Sequence, residues 1–141
     1  MSKTSVSVDI VVPNQTRYLR LIGNIGEQIA RELETDSFDK DMLAYHLNLV
    51  LTEAVANAME YSDDKCLDHT VKVCLSIEDE DLRIRVYDHG QGFDIGAVPI
   101  PDLDQLHERG RGIFLIRTLM DSVAYHRGEA GNVLEMHKSL K

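Results

Sequence analysis

The hydrophobic period of the chain changes near Thr70, and this change constrains the fold more than any other feature. Before Thr70, apolar residues recur at helical spacing, whereas after it they alternate with polar residues. The first pattern predicts helices with one apolar face, and the second predicts strands with one buried face. Helices packed against one face of a sheet form a two-layer α/β sandwich.

Two amphipathic helices are predicted in the first half of the chain. Asn14 follows Pro13 and is placed to cap a helix that runs to about Glu34. A second helix is predicted from about Lys40 to Tyr61. The apolar stripes are Leu19, Ile22, Ile25, Ile29 and Leu33 in the first helix, and Leu43, Leu47, Val50, Ala54 and Ala58 in the second.

The remaining pattern predicts five strands and a third helix. A valine-rich strand covers residues 5–12, a hairpin covers 71–87, and a second hairpin covers 122–138. The third helix begins near Gly110 and directs Ile113, Ile116 and Met120 inward. We therefore expect an α/β (α+β) fold with a mostly antiparallel mixed sheet and helices on one face, formed by residues 1–141 as a single domain.

Composition excludes several classes of function. The chain has 141 residues and a formal net charge of −9, so it repels nucleic-acid phosphates. The N-terminal apolar run is too short for a signal peptide or a membrane span. Cys66 and Cys74 form no CxxC pair, which indicates neither a zinc site nor a disulfide framework. We expect a cytoplasmic protein that binds neither nucleic acid nor membrane.

The first candidate site lies on the second predicted helix. Glu53 and Asn57 are four residues apart, so their side chains share one helix face. A carboxylate can take a proton from a nucleophile, and an amide oxygen is a neutral ligand for Mg²⁺. A solvated helix face would show the same spacing.

The second candidate is Asp88, at the end of a predicted strand and followed by Gly90 and Gly92. An ionised Asp there can accept a hydrogen bond from an exocyclic amine such as that of adenine, and glycines allow close approach of a ligand. An ordinary loop with turn glycines is the alternative. No helix opens after these glycines and no Gly-Lys-Ser/Thr follows them, so Rossmann and P-loop motifs are excluded.

The third candidate is the segment Arg109-Gly110-Arg111-Gly112, where a glycine-rich turn is predicted to open a helix. Free backbone N–H groups at a helix N-terminus bind anions. Cations are disfavoured there, so Arg109 and Arg111 indicate a phosphate nearby unless both guanidinium groups point into solvent. The preceding residues, 88–109, have no clear period, as in a lid, a binding loop or a disordered segment.

In this order, the three segments resemble the N, G1 and G2 boxes of the GHKL (Bergerat) ATPase fold, shared by histidine kinases, DNA gyrase and heat-shock ATPases. The run from Gly110 to Met120-Asp121, followed by Gly131-Asn132, resembles the bacterial anti-sigma-factor serine-protein kinases. The resemblance covers nearly the whole chain. It departs at Tyr61, where the family often has His.

The resemblance implies a role for each box. Glu53 is expected to be the general base, Asn57 to hold Mg²⁺, and Asp88 to bind the adenine amine. Gly90 and Gly92 would shape the nucleotide pocket. The remaining nucleotide-binding positions are Arg109, Gly110, Arg111 and Gly112, of which the two glycines are expected to belong to the phosphate-binding lid. Residues 94–109, which lead up to the Gly110 turn, are expected to be mobile without nucleotide and ordered with it.

The function implied is that of an ATP- and Mg²⁺-dependent protein-serine kinase. It would phosphorylate a STAS-type antagonist and, in its other state, sequester a sigma factor or an equivalent regulatory target. A homodimer is expected from the resemblance alone. The alternatives are an ATP-gated binding module that transfers no phosphate, and a detached histidine-kinase ATPase domain, which needs a separate phospho-acceptor domain that we do not find in this sequence.

Overall fold

A computed structural model describes residues 5–34, 38–60, 70–88, 108–128 and 131–141. A single 3-10 turn at Thr16–Tyr18 precedes the first α-helix. In chain order the other elements are β1 (Ser5–Pro13), α1 (Leu19–Glu32), α2 (Lys40–Glu60), β2 (Thr70–Glu78), β3 (Asp81–Asp88), α3 (Glu108–Leu119), β4 (Ser122–Gly128) and β5 (Gly131–Ser139). This order confirms the one predicted from the hydrophobic period.

The five described strands form one sheet in the order β1-β2-β3-β5-β4. The sequence predicts a mostly antiparallel mixed sheet, and all pairings among these strands are antiparallel. The β2–β3 hairpin turns through Asp79 and Glu80, whose φ angles of 51° and 70° are both left-handed. Such a two-residue turn matches the right-handed twist of its strands.

One face of the sheet is buried and the other is open, as the period of two predicts. The buried side chains of the central strands are at most 2% exposed: Val71, Val73, Leu75, Ile77, Leu82, Ile84 and Val86. The residues between them are half-buried or exposed. Because α2 packs on β2 and β3, and α1 and α3 pack on α2, the helices form the second layer of an α/β sandwich.

Helix α2 lies at the centre of the helical layer, and its predicted apolar stripe is confirmed. All five stripe residues, from Leu43 to Ala58, are buried. The helix begins after Asp39, whose Oδ1 accepts hydrogen bonds from the backbone N–H groups of Asp41 and Met42 at 3.0 and 3.2 Å. Among the described helices, none has the length and apolar character required to span a bilayer.

The predicted start of the first helix is wrong. Asn14 does not cap it: a 3-10 turn with Gln15 as its N-cap intervenes, and α1 runs only from Leu19 to Glu32. The reason is local, because the N–H of Gln15 donates to the carbonyl of Pro13 at 2.7 Å, and the N–H of Tyr18 donates to the carbonyl of Gln15 at 3.1 Å. These two bonds form a tight turn directly after β1.

The buried face of α1 also differs from the predicted stripe. Ile22 and Leu33 are buried, but Ile25 and Ile29 are only half-buried. The other buried residues of the helix itself are small: Gly23, Gly26 and Ala30. A Cβ at Gly23 would lie 2.7 Å from Thr52 Oγ1, and one at Gly26 would collide with the Leu51 side chain. Small residues therefore let α1 approach α2 closely.

This contact gives the first testable prediction. Gly26→Ala is expected to lower the free energy of unfolding by about 1–2 kcal/mol, because overpacking a core costs more than the gain in helix propensity. Denaturant unfolding followed by circular dichroism measures the change. Asn24→Ala, at an exposed position of the same helix, is the control and should be neutral or slightly stabilising. Equal stability of the two variants would contradict the close packing.

Candidate functional site

The close approach of α3 to α2 brings three of the predicted site residues together. Glu53 and Asn57 lie on the face of α2 that meets α3, and Gly112 of α3 lies against both. A Cβ added at Gly112 would be 2.8 Å from Glu53 Oε2 and 3.3 Å from Asn57 Nδ2. Any larger residue at this position would displace one of the two polar side chains or move the helix.

Asn57 is one of the buried polar residues of the candidate site. Its side chain is 5% exposed, and its Nδ2 has no hydrogen-bond partner within the part of the chain that the structure describes. Leaving a buried donor unpaired costs about 1–3 kcal/mol. Rotating the amide by half a turn would place its oxygen at the same position. An orphaned amide beside the Glu53 carboxylate fits a site that a polar ligand or a cation completes.

Asp88 occupies a different environment at the end of β3. It is 2% exposed and lies directly opposite Asn132 of β5 in the sheet. Asn132 Nδ2 donates a hydrogen bond to Asp88 Oδ1 at 2.8 Å, and the hydroxyl of Tyr125 donates to Asp88 Oδ2 at 3.4 Å. We call these three residues the Asp88 cluster. Its carboxylate is buried and hydrogen-bonded by donors from two neighbouring strands.

Asn132 and Tyr125 were not predicted as site residues. The sequence contains one signal for Asn132, because a polar residue directly after Gly131 interrupts the apolar alternation of the last strand. Nothing local marks Tyr125, which reaches Asp88 from β4 across β5. Only the pairing of β3, β5 and β4 brings these residues together.

The glycine-rich segment does not form the turn that the sequence predicts before α3. Helix α3 begins at Glu108, so the backbone of Arg109, Gly110 and Arg111 lies in its first turn. Gly112 is also helical, and its small size serves packing against Glu53 rather than turn formation. The inward residues Ile113, Ile116 and Met120 are buried as predicted.

Several predicted residues lie outside the described part of the chain. These are Gly90 and Gly92 of the second segment, Tyr61, and residues 94–107 of the predicted lid. The side chains of Arg109 and Arg111 are also outside it. Their expected roles stay predictions.

His46 faces a separate cavity of about 220 Å³, which is lined by Phe38, Met42 and Lys138 among others. Partial burial lowers the pKa of His46, and the nearby Lys138 ammonium lowers it further. Neither Glu53 nor Asn57 lines this cavity. His46 therefore belongs to a different region of the molecule from the α2–α3 contact.

A family model for the histidine kinase-like ATPase domain matches residues 12–138. The chain therefore belongs to the family of histidine kinase-like ATPase domains. The fold agrees: a histidine kinase domain from Erythrobacter litoralis EL346 superposes with a TM-score of 0.56 at 18% identity, covering 92% of this chain and 62% of that one. The GHKL fold predicted from the sequence is confirmed.

The chain is also similar to bacterial proteins named serine-protein kinase RsbW. It is 33% identical to that of Staphylococcus epidermidis over 102 residues, which is 66% of this chain and 64% of the relative's length. It is 27% identical to that of Halalkalibacterium halodurans, covering 96% and 84% of the two chains. The protein from Bacillus subtilis is 25% identical, covering 99% and 89%.

The unsatisfied amide of Asn57 gives a second prediction. Asn57→Leu keeps the side-chain shape and removes the orphaned donor, so it should raise the free energy of unfolding by about 1 kcal/mol. Denaturant unfolding without added nucleotide measures the effect. Asn132→Leu makes the same exchange where the amide is hydrogen-bonded, and should instead lower stability by about 1–2 kcal/mol. A loss of stability in both variants would mean that the amide of Asn57 is satisfied.

Proposed function

We propose that the chain is an ATP- and Mg²⁺-dependent protein-serine kinase of the anti-sigma-factor type. The observation that carries this proposal is the contact at Gly112, where Glu53 lies beside the buried Asn57, whose Nδ2 has no partner in the described part of the chain. The match to the histidine kinase-like ATPase domain and the similarity to serine-protein kinases support it. The match to the staphylococcal relative spans less than two thirds of that protein, so the whole activity is part of the proposal.

The residues around Asn57 fit a magnesium ion. Mg²⁺ binds in proteins through one or two side-chain oxygens together with substrate phosphates and waters. Rotated by half a turn, the Asn57 amide places its oxygen where Nδ2 has no partner among the described residues, and Glu53 adds negative charge next to it. When bound, Mg²⁺ neutralises the charge of the phosphate oxygens, which is the main requirement of phosphoryl transfer.

Glu53 is proposed as the general base. Its Oε2 lies at the surface of contact between α2 and α3, and its side chain is half-buried rather than enclosed in the core. A carboxylate there can accept the proton of an incoming serine hydroxyl. The first turn of α3, with Arg109, Gly110 and Arg111, is proposed to bind the phosphates through its free N–H groups.

Asp88 is proposed to recognise the adenine. A buried carboxylate offers about four acceptor positions on its two oxygens, so it can accept an exocyclic amine in addition to its bonds within the protein. Gly90 and Gly92 would then allow the base to approach. Base recognition lies at the end of a strand, and the chemistry lies on the helix that packs over the sheet.

The partners remain those that the sequence resemblance implies. We propose that the phosphoryl acceptor is a serine of a STAS-type antagonist, and that the chain sequesters a sigma factor or an equivalent target, acting in the cytoplasm as one domain and as a homodimer. A second candidate function is an ATP-gated binding module that holds its partner without transferring phosphate. The polar pair of Glu53 and Asn57 favours the kinase, because gating alone requires no base.

The role of Asp88 predicts nucleotide affinity. Asp88→Asn should weaken ATP binding by about tenfold or more, because it removes a charged acceptor whose hydrogen bond is worth about 1.5–3 kcal/mol. Calorimetric titration with ATP and Mg²⁺ measures the affinity, and circular dichroism checks the fold. Glu53→Gln serves as the matched control and should bind ATP almost as well as the wild type. Unchanged affinity in Asp88→Asn would remove its adenine role.

A second experiment separates the kinase from the passive switch. Glu53→Gln should reduce transfer from labelled ATP to the acceptor serine by about 10²–10⁴-fold, the usual contribution of a positioned general base. Asn57→Ala should instead weaken Mg²⁺-dependent ATP binding. The substrate is a STAS-type protein from the same genome, with its acceptor serine replaced by alanine as the blank.

The possible results of this experiment lead to different conclusions. If the wild type binds ATP and phosphorylates no STAS-type protein of its genome, the kinase proposal fails and the binding module replaces it. If Glu53→Gln transfers phosphate as fast as the wild type, the activity stands but Glu53 is not the base.

A further inference from the structure

The Asp88 cluster spans three neighbouring strands of the sheet. Asp88 ends β3, Asn132 lies opposite it on β5, and Tyr125 reaches it from β4, the edge strand beyond β5. Each carboxylate oxygen of Asp88 accepts a hydrogen bond, Oδ1 from Asn132 and Oδ2 from Tyr125. The carboxylate is thus held at both oxygens.

The direction of the Asn132 bond follows from chemistry. A carboxylate oxygen only accepts, so the Asn132 amide must present its NH₂ group to Asp88, since its oxygen would face another acceptor. The bond is 2.8 Å long, and both side chains are at most 4% exposed. The Asp χ2 torsion is broad in the absence of such partners. Two donors on opposite oxygens therefore fix the plane of the carboxylate.

The cluster is not explained by core packing alone. Val86 of β3 and Leu134 of β5 face each other in the sheet two residues away and fill the core with apolar side chains. An apolar pair in place of Asp88 and Asn132 would continue this core without burying a carboxylate and an amide. Where a fold departs from its own apolar pattern at a buried position, a functional reason is expected.

We propose that Asn132 and Tyr125 are positioning residues that give the nucleotide site its selectivity for a 6-aminopurine over a 6-oxopurine. This inference rests on the proposed function, in which Asp88 recognises the base. A carboxylate of fixed orientation accepts a hydrogen bond from a base that carries an amine, and it repels the oxygen of a base that carries an oxo group. Released from Asn132, the carboxylate turns away and loses both effects.

The experiment compares two nucleotides that differ at this position of the base. Isothermal titration with ADP and with inosine diphosphate, which carries an oxo group in place of the amine, is made on the wild type, Asn132→Leu and Tyr125→Phe. We expect Asn132→Leu to bind ADP about tenfold more weakly. Its affinity for inosine diphosphate should not fall, because the repulsion of the oxo group is lost together with the bond to the amine. Tyr125→Phe removes the longer bond and should reduce ADP affinity by about two- to threefold.

A double-mutant cycle tests whether Asn132 acts through Asp88. In an Asp88→Asn background, Asn132→Leu should have almost no further effect on ADP affinity, because the carboxylate that it positions is gone. Thermal unfolding of every variant establishes which ones fold. If Asn132→Leu does not fold, Tyr125→Phe decides alone: a loss for ADP only supports the proposal, and no change or an equal loss for both nucleotides overturns it.

The outcomes separate this inference from the function on which it rests. A wild type that binds neither nucleotide refutes the nucleotide site itself. A wild type that prefers ADP, together with an Asn132→Leu variant that loses both nucleotides equally or whose loss adds fully to that of Asp88→Asn, refutes the positioning role and leaves the nucleotide site intact.

Discussion

The approach of α3 to α2 at Gly112 is the contact on which the candidate site depends. Helix α2 packs against the sheet on one side and against α1 and α3 on others, and ten of its 21 residues are buried. Glu53 and Asn57 are four residues apart and share the strip that meets α3. Because Gly112 has no side chain, α3 packs there without displacing these polar groups. The same contact completes the helical layer and forms the site.

Much of the fold could be predicted from the sequence, because apolar residues that recur with a constant period indicate a helix or strand that buries one face. The stripe of α2 and the alternation in β2 and β3 gave these elements almost to the residue. The hydrophobic pattern gave the wrong buried face for α1, because Gly23, Gly26 and Ala30 form the face that packs against α2. Large apolar residues dominate a hydrophobic pattern, whereas close helix packing selects small ones. The start of α3 was misjudged for a related reason, since glycines were taken as turn residues although they lie within a helix.

The arrangement of the candidate site was predictable to the extent that it is local. Spacing along one helix was sufficient to pair Glu53 with Asn57, and the end of a strand was sufficient to single out Asp88. Gly112 was predicted for another reason, phosphate binding, and its contact with Glu53 emerges only from packing. Asn132 and Tyr125 come from strands that lie more than thirty residues beyond Asp88 in the chain. Their meeting depends on sheet order and register, which short-range patterns do not encode.

Asp88 and Asn57 are both buried, but they differ in how their hydrogen-bonding groups are paired. Asp88 is buried with its hydrogen bonds made, so its orientation is set before any ligand arrives. Asn57 is buried with a donor that has no partner among the described residues, and an unpaired buried donor costs free energy of folding. Under the proposed function, Asp88 recognises the base with little loss of conformational entropy, because its carboxylate is already oriented before the ligand binds. The arrangement at Asn57 makes binding at the phosphate end more favourable, because a ligand that hydrogen-bonds to or coordinates this amide removes the free-energy cost of burying it unpaired. The proposed function thus assigns selectivity and affinity to different layers of the sandwich: the sheet would select the base, and the helix pair would gain stability when the site is filled.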